Sequence, residues 1–167
     1  MEALRWGNRI ARVLFVCTGN TCRSPMAEAY FNAVSAPAGV RAESAGLCAS
    51  AGAPMSAAAR QALAGRGIDG GGFRSRPLTG ELAAAADLIV GMTRAHCRET
   101  AARFPECAER TMALADLPDG GDVTDPFGGD AETYRRCLNR MIPALEALAE
   151  KIKRNNGPFT VEANIQH

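Results

Sequence analysis

The 167-residue sequence has few aromatic residues, almost no excess of charge of either sign, and no long apolar run. A membrane-spanning helix needs about twenty consecutive apolar residues, and no stretch of this sequence approaches that length. Residues 1–9 are polar and the apolar run after them has only the length of a strand, which makes a poor signal peptide. The formal net charge of +1 gives no electrostatic reason to expect binding to nucleic acid or to a membrane surface. We therefore expect a cytoplasmic protein.

The sequence also lacks the spacings of a disulfide framework or a metal site. It contains six cysteines, but a chain of this length can bury a sizeable core without cross-links. Four cysteines are dispersed without any metal-ligand spacing, and neither histidine, His96 or His167, is proposed as a catalyst. We expect thiols that are mainly reduced, and no metal.

Strand and helix patterns alternate along the sequence. The apolar run over 11–16 predicts a strand buried on both faces of a parallel sheet, and further strands are predicted over 40–44, 87–92 and 110–115. Helices are predicted over 24–34, 54–64, 80–85, 93–103 and from residue 130 to about 153. This order predicts an α/β fold, a doubly wound three-layer sandwich around a four-stranded parallel sheet. We predict one domain over residues 10–153 and a flexible tail over 154–167.

The most informative segment is the loop Cys17-Thr18-Gly19-Asn20-Thr21-Cys22-Arg23, which follows the first strand and leads into Ser24-Pro25. Pro25 is typical of the first turn of a helix. A loop between a buried strand and a helix N-terminus directs backbone N–H groups at an anion. The guanidinium of Arg23 suits paired contacts with phosphoryl oxygens, and the same positive potential favours a nucleophilic thiolate at Cys17. The segment therefore predicts a phosphate-binding loop with a nucleophile at its base.

This loop resembles the signature of the low-molecular-weight protein tyrosine phosphatase family. Four later segments match in the same order, and the likeness covers about residues 10 to 150: Glu43-Ser44-Ala45-Gly46, Arg74-Ser75-Arg76-Pro77-Leu78, residues 86–96 and Asp125-Pro126-Phe127-Gly128-Gly129. The resemblance implies hydrolysis of phosphorylated protein side chains through a phosphocysteine intermediate. Thiolate, arginine and carboxylic acid complete that chemistry, so we expect no cofactor; we also expect a monomer.

A phosphoryl transfer of this kind needs an acid that protonates the leaving group. The segment after the fourth predicted strand holds five candidates, among which spacing does not choose: Asp116, Asp119, Asp122, Asp125 and Asp130. The resemblance assigns Asp125, which would also deprotonate the water that hydrolyses phosphocysteine. We expect Asp130 to cap the last helix.

Several residues are expected to support the loop. Ser24 either donates a hydrogen bond to the Cys17 sulfur or caps the following helix. Asn20 is expected in a left-handed conformation, and the resemblance gives it Ser44 as a partner. The family's other partner is a histidine, which falls near Phe73 in this sequence; phenylalanine forms no such hydrogen bond.

Cys22 has two interpretations of equal weight. Oxidation could join it to Cys17 in a disulfide that protects the nucleophile from irreversible oxidation. Alternatively, Cys22 is a small buried core residue.

Thr21 and Phe127 are the expected substrate-pocket residues. Tyrosine-specific members of the family commonly carry a branched aliphatic residue in the middle of the loop and paired aromatic residues after Asp-Pro. Here the loop has Thr21, and Phe127 is followed by two glycines. Both features are similar to the protein-arginine phosphatase subgroup, because a hydroxyl is compatible with a guanidinium that an aliphatic branch would desolvate. We predict phosphoarginine as substrate, with phosphotyrosine as the alternative.

Two other functional classes share parts of this pattern. A thiol-dependent arsenate reductase also binds an oxyanion in such a loop, but those enzymes typically lack a proline after Arg-Ser and carry a cysteine after the third strand. Pro25 and Met92 occupy these two positions here. A non-catalytic phosphate-binding module would need neither Cys17 nor an acid.

Overall fold

Residues 6–157 are described by a computed structural model of the chain. Its sheet contains β1 (Arg12–Cys17), β2 (Arg41–Gly46), β3 (Leu88–Gly91) and β4 (Thr111–Ala113). All neighbouring strands pair in parallel, in the order β2-β1-β3-β4. The predicted four-stranded parallel sheet is therefore confirmed.

In the described part of the chain, five α-helices surround the sheet: α1 (Arg23–Tyr30), α2 (Ala57–Ala64), α3 (Gly80–Ala85), α4 (Arg94–Arg103) and α5 (Ala131–Asn156). A π-helical turn (Phe31–Ser35) continues α1, and short 3₁₀ helices lie at Pro105–Arg110 and Leu114–Asp116. No helix within residues 6–157 has the length and apolar character needed to cross a membrane.

Most element boundaries differ from the sequence prediction by a few residues, and three of these differences have a clear local reason. The second helix begins after Ser56 rather than at residue 54, because the Ser56 hydroxyl accepts the Ala59 N–H and caps it. The fourth strand stops at Ala113, whose N–H donates to Asp116 Oδ2 at 2.9 Å. The last helix continues past residue 153 to Asn156, whose side chain pairs with the backbone of Ile10. The rest of the predicted tail, 158–167, lies outside the described residues.

Strand β1 lies inside the sheet and its side chains alternate between two hydrophobic cores. Phe15 belongs to the larger core together with Met26 of α1 and Leu138 of α5. Leu14 belongs to the core on the other face, together with Ala83 of α3. Burial on both faces explains the continuous apolar run in the sequence, and it produces the three-layer sandwich that the alternating pattern predicted.

The carboxyl ends of β1, β3 and β4 point to the same edge of the sheet because the strands are parallel. The loop after β1 leaves this edge, and so does the segment between β4 and α5. Strand β2 ends beneath the first of these loops at Gly46, where a Cβ atom would lie 2.6 Å from the Thr18 carbonyl oxygen. Only glycine permits that approach, so the strand supports the loop directly.

Candidate active site

The loop over residues 18–22 connects β1 to α1 and curls around the helix N-terminus. Asn20 has a φ of 55°, the left-handed conformation that the sequence predicted. Cys22 is the N-cap of α1 and its side chain makes no capping hydrogen bond. The first N–H groups of α1 can therefore bind an anion at the end of the helix where the dipole is positive.

Cys17 ends β1 at the base of this loop, where it is almost completely buried. Its Sγ lies 2.8 Å from Ser24 Oγ. Asn20 Nδ2 donates to the same Ser24 oxygen at 2.9 Å, which leaves the Ser24 hydroxyl hydrogen to point at the sulfur. Ser24 lies inside α1 rather than at its cap. A hydroxyl donor in this position stabilises negative charge on the Cys17 sulfur.

Asn20 is fully buried and joins the loop to two other elements. Its Nδ2 also donates to Ser44 Oγ of β2 at 3.0 Å. Its Oδ1 accepts the backbone N–H of Arg76 at 3.0 Å, and Arg76 Nε donates to the Ser44 carbonyl oxygen at 3.0 Å. A backbone donor thus fills the remaining acceptor of Asn20, while Phe73 packs against the larger hydrophobic core. This is how the loop is held without a histidine at residue 73.

Arg23 and Asp125 meet across the site. The Arg23 side chain is only 7% exposed, and its Nη2 lies 3.7 Å from Asp125 Oδ2. Its Nη1 donates to the Val123 carbonyl oxygen at 3.1 Å, which fixes the plane of the guanidinium. The Asp125 side chain is 55% exposed, and its Oδ1 accepts the Phe127 N–H at 3.1 Å. An exposed carboxyl beside a buried arginine can exchange protons with a bound substrate and with water.

Three of the other four aspartates of this segment have structural contacts, and the fourth, Asp119, is exposed. Asp116 pairs with Arg94 Nη1 at 2.6 Å, and Asp122 accepts the Arg94 backbone N–H at 2.9 Å. Asp130 caps α5 by accepting the Thr133 N–H at 2.9 Å, as predicted. Within the described chain, Asp125 alone among the five pairs with Arg23.

The two expected pocket residues are both accessible. Thr21 is partly exposed, and its Oγ1 has a weak contact of 3.7 Å with Cys22 Sγ. The Thr21 carbonyl oxygen accepts the Ser56 N–H at 3.0 Å, which anchors the backbone at this position. Phe127 is 81% exposed. Its ring is therefore free to contact a substrate side chain.

The Cys22 side chain is buried at the end of the loop, in contact with α5. Its Sγ is 3.3 Å from Tyr134 Oη and 3.7 Å from Ser56 Oγ. Burial raises the pKa of Tyr134 to about 12, so that its hydroxyl remains protonated. Both Cys17 and Cys22 are free thiols. The disulfide between them remains a prediction.

His96 is the residue near the site that sequence reasoning missed. It is 6% exposed on the first turn of α4, and its Nε2 lies 3.0 Å from Thr18 Oγ1. Burial, with a smaller contribution from the Arg23 charge, lowers its pKa from 6.5 to about 4. No local pattern signals this contact, because 78 residues separate the partners.

We expect His96 to make stability sensitive to mild acid. In the unfolded chain the His96 imidazole has its ordinary pKa of 6.5, whereas in the folded protein its pKa is about 4. The free energy of unfolding should therefore fall as pH drops from 6.5 towards 4. The thermal midpoint of the wild type should fall further across that range than the midpoint of His96→Asn, which cannot titrate. Equal falls would contradict a buried neutral imidazole.

Within residues 6–157, no group of three or more His, Cys, Asp or Glu side chains is placed to hold a metal ion.

The comparisons with known proteins agree with this geometry. The profile of the family described as "Low molecular weight phosphotyrosine protein phosphatase" matches residues 12–157. The "Protein-arginine-phosphatase" of Geobacillus stearothermophilus is 40% identical over 144 residues, covering 85% of this chain and 96% of the relative. The protein of the same description from Bacillus subtilis (strain 168) is 38% identical over 147 residues, covering 86% and 97%. A solved mutant of YwlE arginine phosphatase "with phosphorylated active site serine" superimposes with a TM-score of 0.80 at 37% identity, covering 86% of this chain and 96% of the other.

Proposed function

The chain belongs to the low molecular weight phosphotyrosine protein phosphatase family, and from that premise we propose that it removes phosphate from phosphoarginine in proteins. It is a cysteine-dependent hydrolase, since its relatives are named protein-arginine and protein-tyrosine phosphatases of this family. Phosphorylated proteins are the substrates that the family implies. We further propose a cytoplasmic monomer, a prediction that rests on the sequence alone.

We assign the first chemical step to Cys17, Arg23 and Asp125. The Cys17 thiolate attacks phosphorus from the base of the loop, forming the S–P bond while the P–N bond to the arginine side chain breaks. Backbone N–H groups and the Arg23 guanidinium hold the three equatorial oxygens, where negative charge is spread in the transition state. Asp125, in its acid form, gives its proton to the departing nitrogen.

The second step hydrolyses the phosphocysteine. Asp125, now a carboxylate, accepts a proton from water as the water oxygen attacks phosphorus. The S–P bond breaks, inorganic phosphate leaves, and the Cys17 thiolate is restored. The Ser24 hydroxyl, 2.8 Å from the sulfur, stabilises the thiolate as a leaving group.

The choice of phosphoarginine rests on Thr21. Thr21 is partly exposed, and its hydroxyl has only the weak contact with the Cys22 sulfur among the described residues, so the hydroxyl can accept a hydrogen bond from a polar substrate group. A guanidinium carries several N–H donors that need acceptors when they leave water. A threonine oxygen can accept one of them, whereas an aliphatic side chain in the same place would leave it unpaired.

Substitution of Thr21 tests this proposal. We expect Thr21→Ile to lower kcat/KM for a phosphoarginine peptide by about 10- to 100-fold, the cost of an unpaired donor, without a comparable loss on a matched phosphotyrosine peptide. Thr21→Val, which keeps the shape and removes the hydroxyl, should act in the same direction. Thr21→Ser, which keeps the hydroxyl, is the matched control and should retain the preference. Unchanged selectivity in Thr21→Ile would contradict the assignment.

Phosphotyrosine hydrolysis is the second candidate function, and one observation favours it. The Phe127 ring is 81% exposed and immediately follows Asp125-Pro126, where it can pack against the phenyl ring of a substrate. The chemistry at Cys17 and Asp125 would be the same, with a phenolic oxygen as the leaving atom. The ratio of kcat/KM on the two peptides therefore decides between the candidates.

A further inference from the structure

The hydrogen bonds of His96 define which ring nitrogen carries its proton. The backbone N–H of Thr93 donates to His96 Nδ1 at 3.1 Å, so Nδ1 is an acceptor. A neutral imidazole then carries its hydrogen on Nε2, and the lowered pKa of about 4 keeps the ring neutral at ordinary pH. His96 Nε2 therefore donates to Thr18 Oγ1 across 3.0 Å. Thr18 directly follows the nucleophile in the chain.

The turn that carries His96 also holds the segment containing the proposed acid. The Arg94 backbone N–H donates to Asp122 Oδ1 at 2.9 Å, and the Arg94 guanidinium pairs with Asp116 at 2.6 Å. The Val123 N–H donates to the Met92 carbonyl oxygen at 3.0 Å, just before the same turn. Asp122 and Val123 lie three and two residues before Asp125.

His96 itself is rigidly placed within this turn. Thr93 and His96 form a reciprocal capping box, in which the His96 N–H donates to Thr93 Oγ1 at 3.1 Å. The Thr100 hydroxyl donates to the His96 carbonyl oxygen at 2.7 Å. The imidazole cannot turn away from Thr18 without losing the hydrogen bond from the partly buried Thr93 N–H, which would leave that donor unpaired.

We propose that His96 is a positioning residue, which ties Thr18 to the turn that binds the Asp125 segment and so sets the separation between the Cys17 sulfur and the Asp125 carboxyl. The inference rests on the phosphocysteine mechanism proposed above. Proton transfer requires Asp125 within hydrogen-bond reach of the departing atom while sulfur, phosphorus and that atom are in line. An error of about 1 Å in such an arrangement costs about 100-fold in rate.

Two substitutions separate this role from simple packing. His96→Gln keeps an N–H donor near the position of Nε2, and His96→Asn keeps an acceptor near the position of Nδ1 but cannot reach Thr18. The assay is kcat/KM on aryl phosphates whose leaving groups span a range of acidity, with inhibition by inorganic phosphate as a measure of loop binding.

We expect His96→Asn to lower kcat/KM by about tenfold or more on aryl phosphates with poor leaving groups, which depend on protonation by Asp125. The loss in kcat/KM should become smaller as the leaving group becomes more acidic. Inhibition by phosphate should change little, and His96→Gln should stay near the wild type. Thr18→Val should reproduce the effect of His96→Asn, and the double variant should show no further loss.

Three results would overturn the proposal. A uniform loss across all leaving groups, or equal losses in His96→Gln and His96→Asn, would assign His96 to packing alone. Imidazole ¹⁵N chemical shifts give a third test that does not depend on activity, and with only two histidines in the sequence the signals are easily assigned. Shifts that place the His96 proton on Nδ1 would contradict the hydrogen bond to Thr18 and so overturn the proposal. By contrast, if the wild-type enzyme turned over no aryl phosphate or phosphopeptide, the proposed function itself would be wrong. The role of His96 inferred from that function would then be wrong as well.

Discussion

Cys17→Ser is expected to lower kcat/KM by at least about 10⁴-fold, the scale of losses seen when a covalent nucleophile is replaced. A serine hydroxyl at the base of the loop loses its proton far less readily than a thiol and is the weaker nucleophile. The anion site should survive, because the N–H groups of α1, the buried Arg23 and the fixed Asn20 are unchanged. Phosphate release measures the first effect, and calorimetric binding of inorganic phosphate measures the second.

Cys48→Ser is the matched control for this variant. Cys48 is exposed, and its backbone N–H, which donates to the Thr18 carbonyl oxygen at 2.9 Å, is kept on substitution. Activity close to the wild type is expected there. Turnover by Cys17→Ser within about tenfold of the wild type would show that another group attacks phosphorus.

Slow transfer of a phosphoryl group to the substituted side chain of Cys17→Ser is a further expected outcome. The solved mutant of YwlE arginine phosphatase carries a phosphorylated active site serine. We expect mass spectrometry of Cys17→Ser, after long incubation with a phosphoarginine peptide, to find one phosphoryl group on the substituted side chain. A non-catalytic phosphate-binding module would bind phosphate without turnover in the wild type and acquire no such group.

Asp125→Asn is expected to lower kcat/KM by about 10²–10⁴-fold on leaving groups that need protonation, which is the usual contribution of a general acid. The substitution keeps the shape of the side chain and an oxygen for the Phe127 N–H, but it removes the transferable proton. The second step should slow as well, since the amide cannot accept a proton from water. On good leaving groups, whose departure needs no acid, only the second step slows, so phosphocysteine should accumulate there and be detectable by mass spectrometry after a rapid quench.

The matched control is Asp119→Asn, which makes the same change of charge in the same segment. Asp119 is exposed with a φ of 60°, a conformation that asparagine also adopts readily. We expect its kinetics to match the wild type. If both variants lose activity equally, the effect belongs to the charge of the segment rather than to a proton held by Asp125.

The fold and the phosphate loop were predictable because their signals are local. The apolar run of β1 indicates burial on both faces of the sheet. The segment from Cys17 to Pro25 contains the nucleophile, the phosphate-binding Arg23 and the start of α1 in one short stretch. A predicted helix boundary is off by a few residues where a side chain caps the helix, as Ser56 does at the start of α2.

The contacts that complete the site were less predictable because they join distant residues. Spacing did not select Asp125 from five aspartates, and its ion pair with Arg23 follows from the sheet order that brings the two segments to one edge. The third partner of Asn20 is a backbone N–H of Arg76, which no side-chain pattern reveals. His96 occupies the third position of a capping box, where the common signature has Glu or Gln.

The most direct test of the account is kcat/KM of the wild-type protein on two peptides that differ only in carrying phosphoarginine or phosphotyrosine at the same position. We predict a preference for phosphoarginine of at least about tenfold, equivalent to about 1.4 kcal/mol of transition-state stabilisation. Equal values, or a preference for phosphotyrosine, would contradict the assignment of phosphoarginine as substrate and leave a tyrosine phosphatase in which Thr21 is neutral.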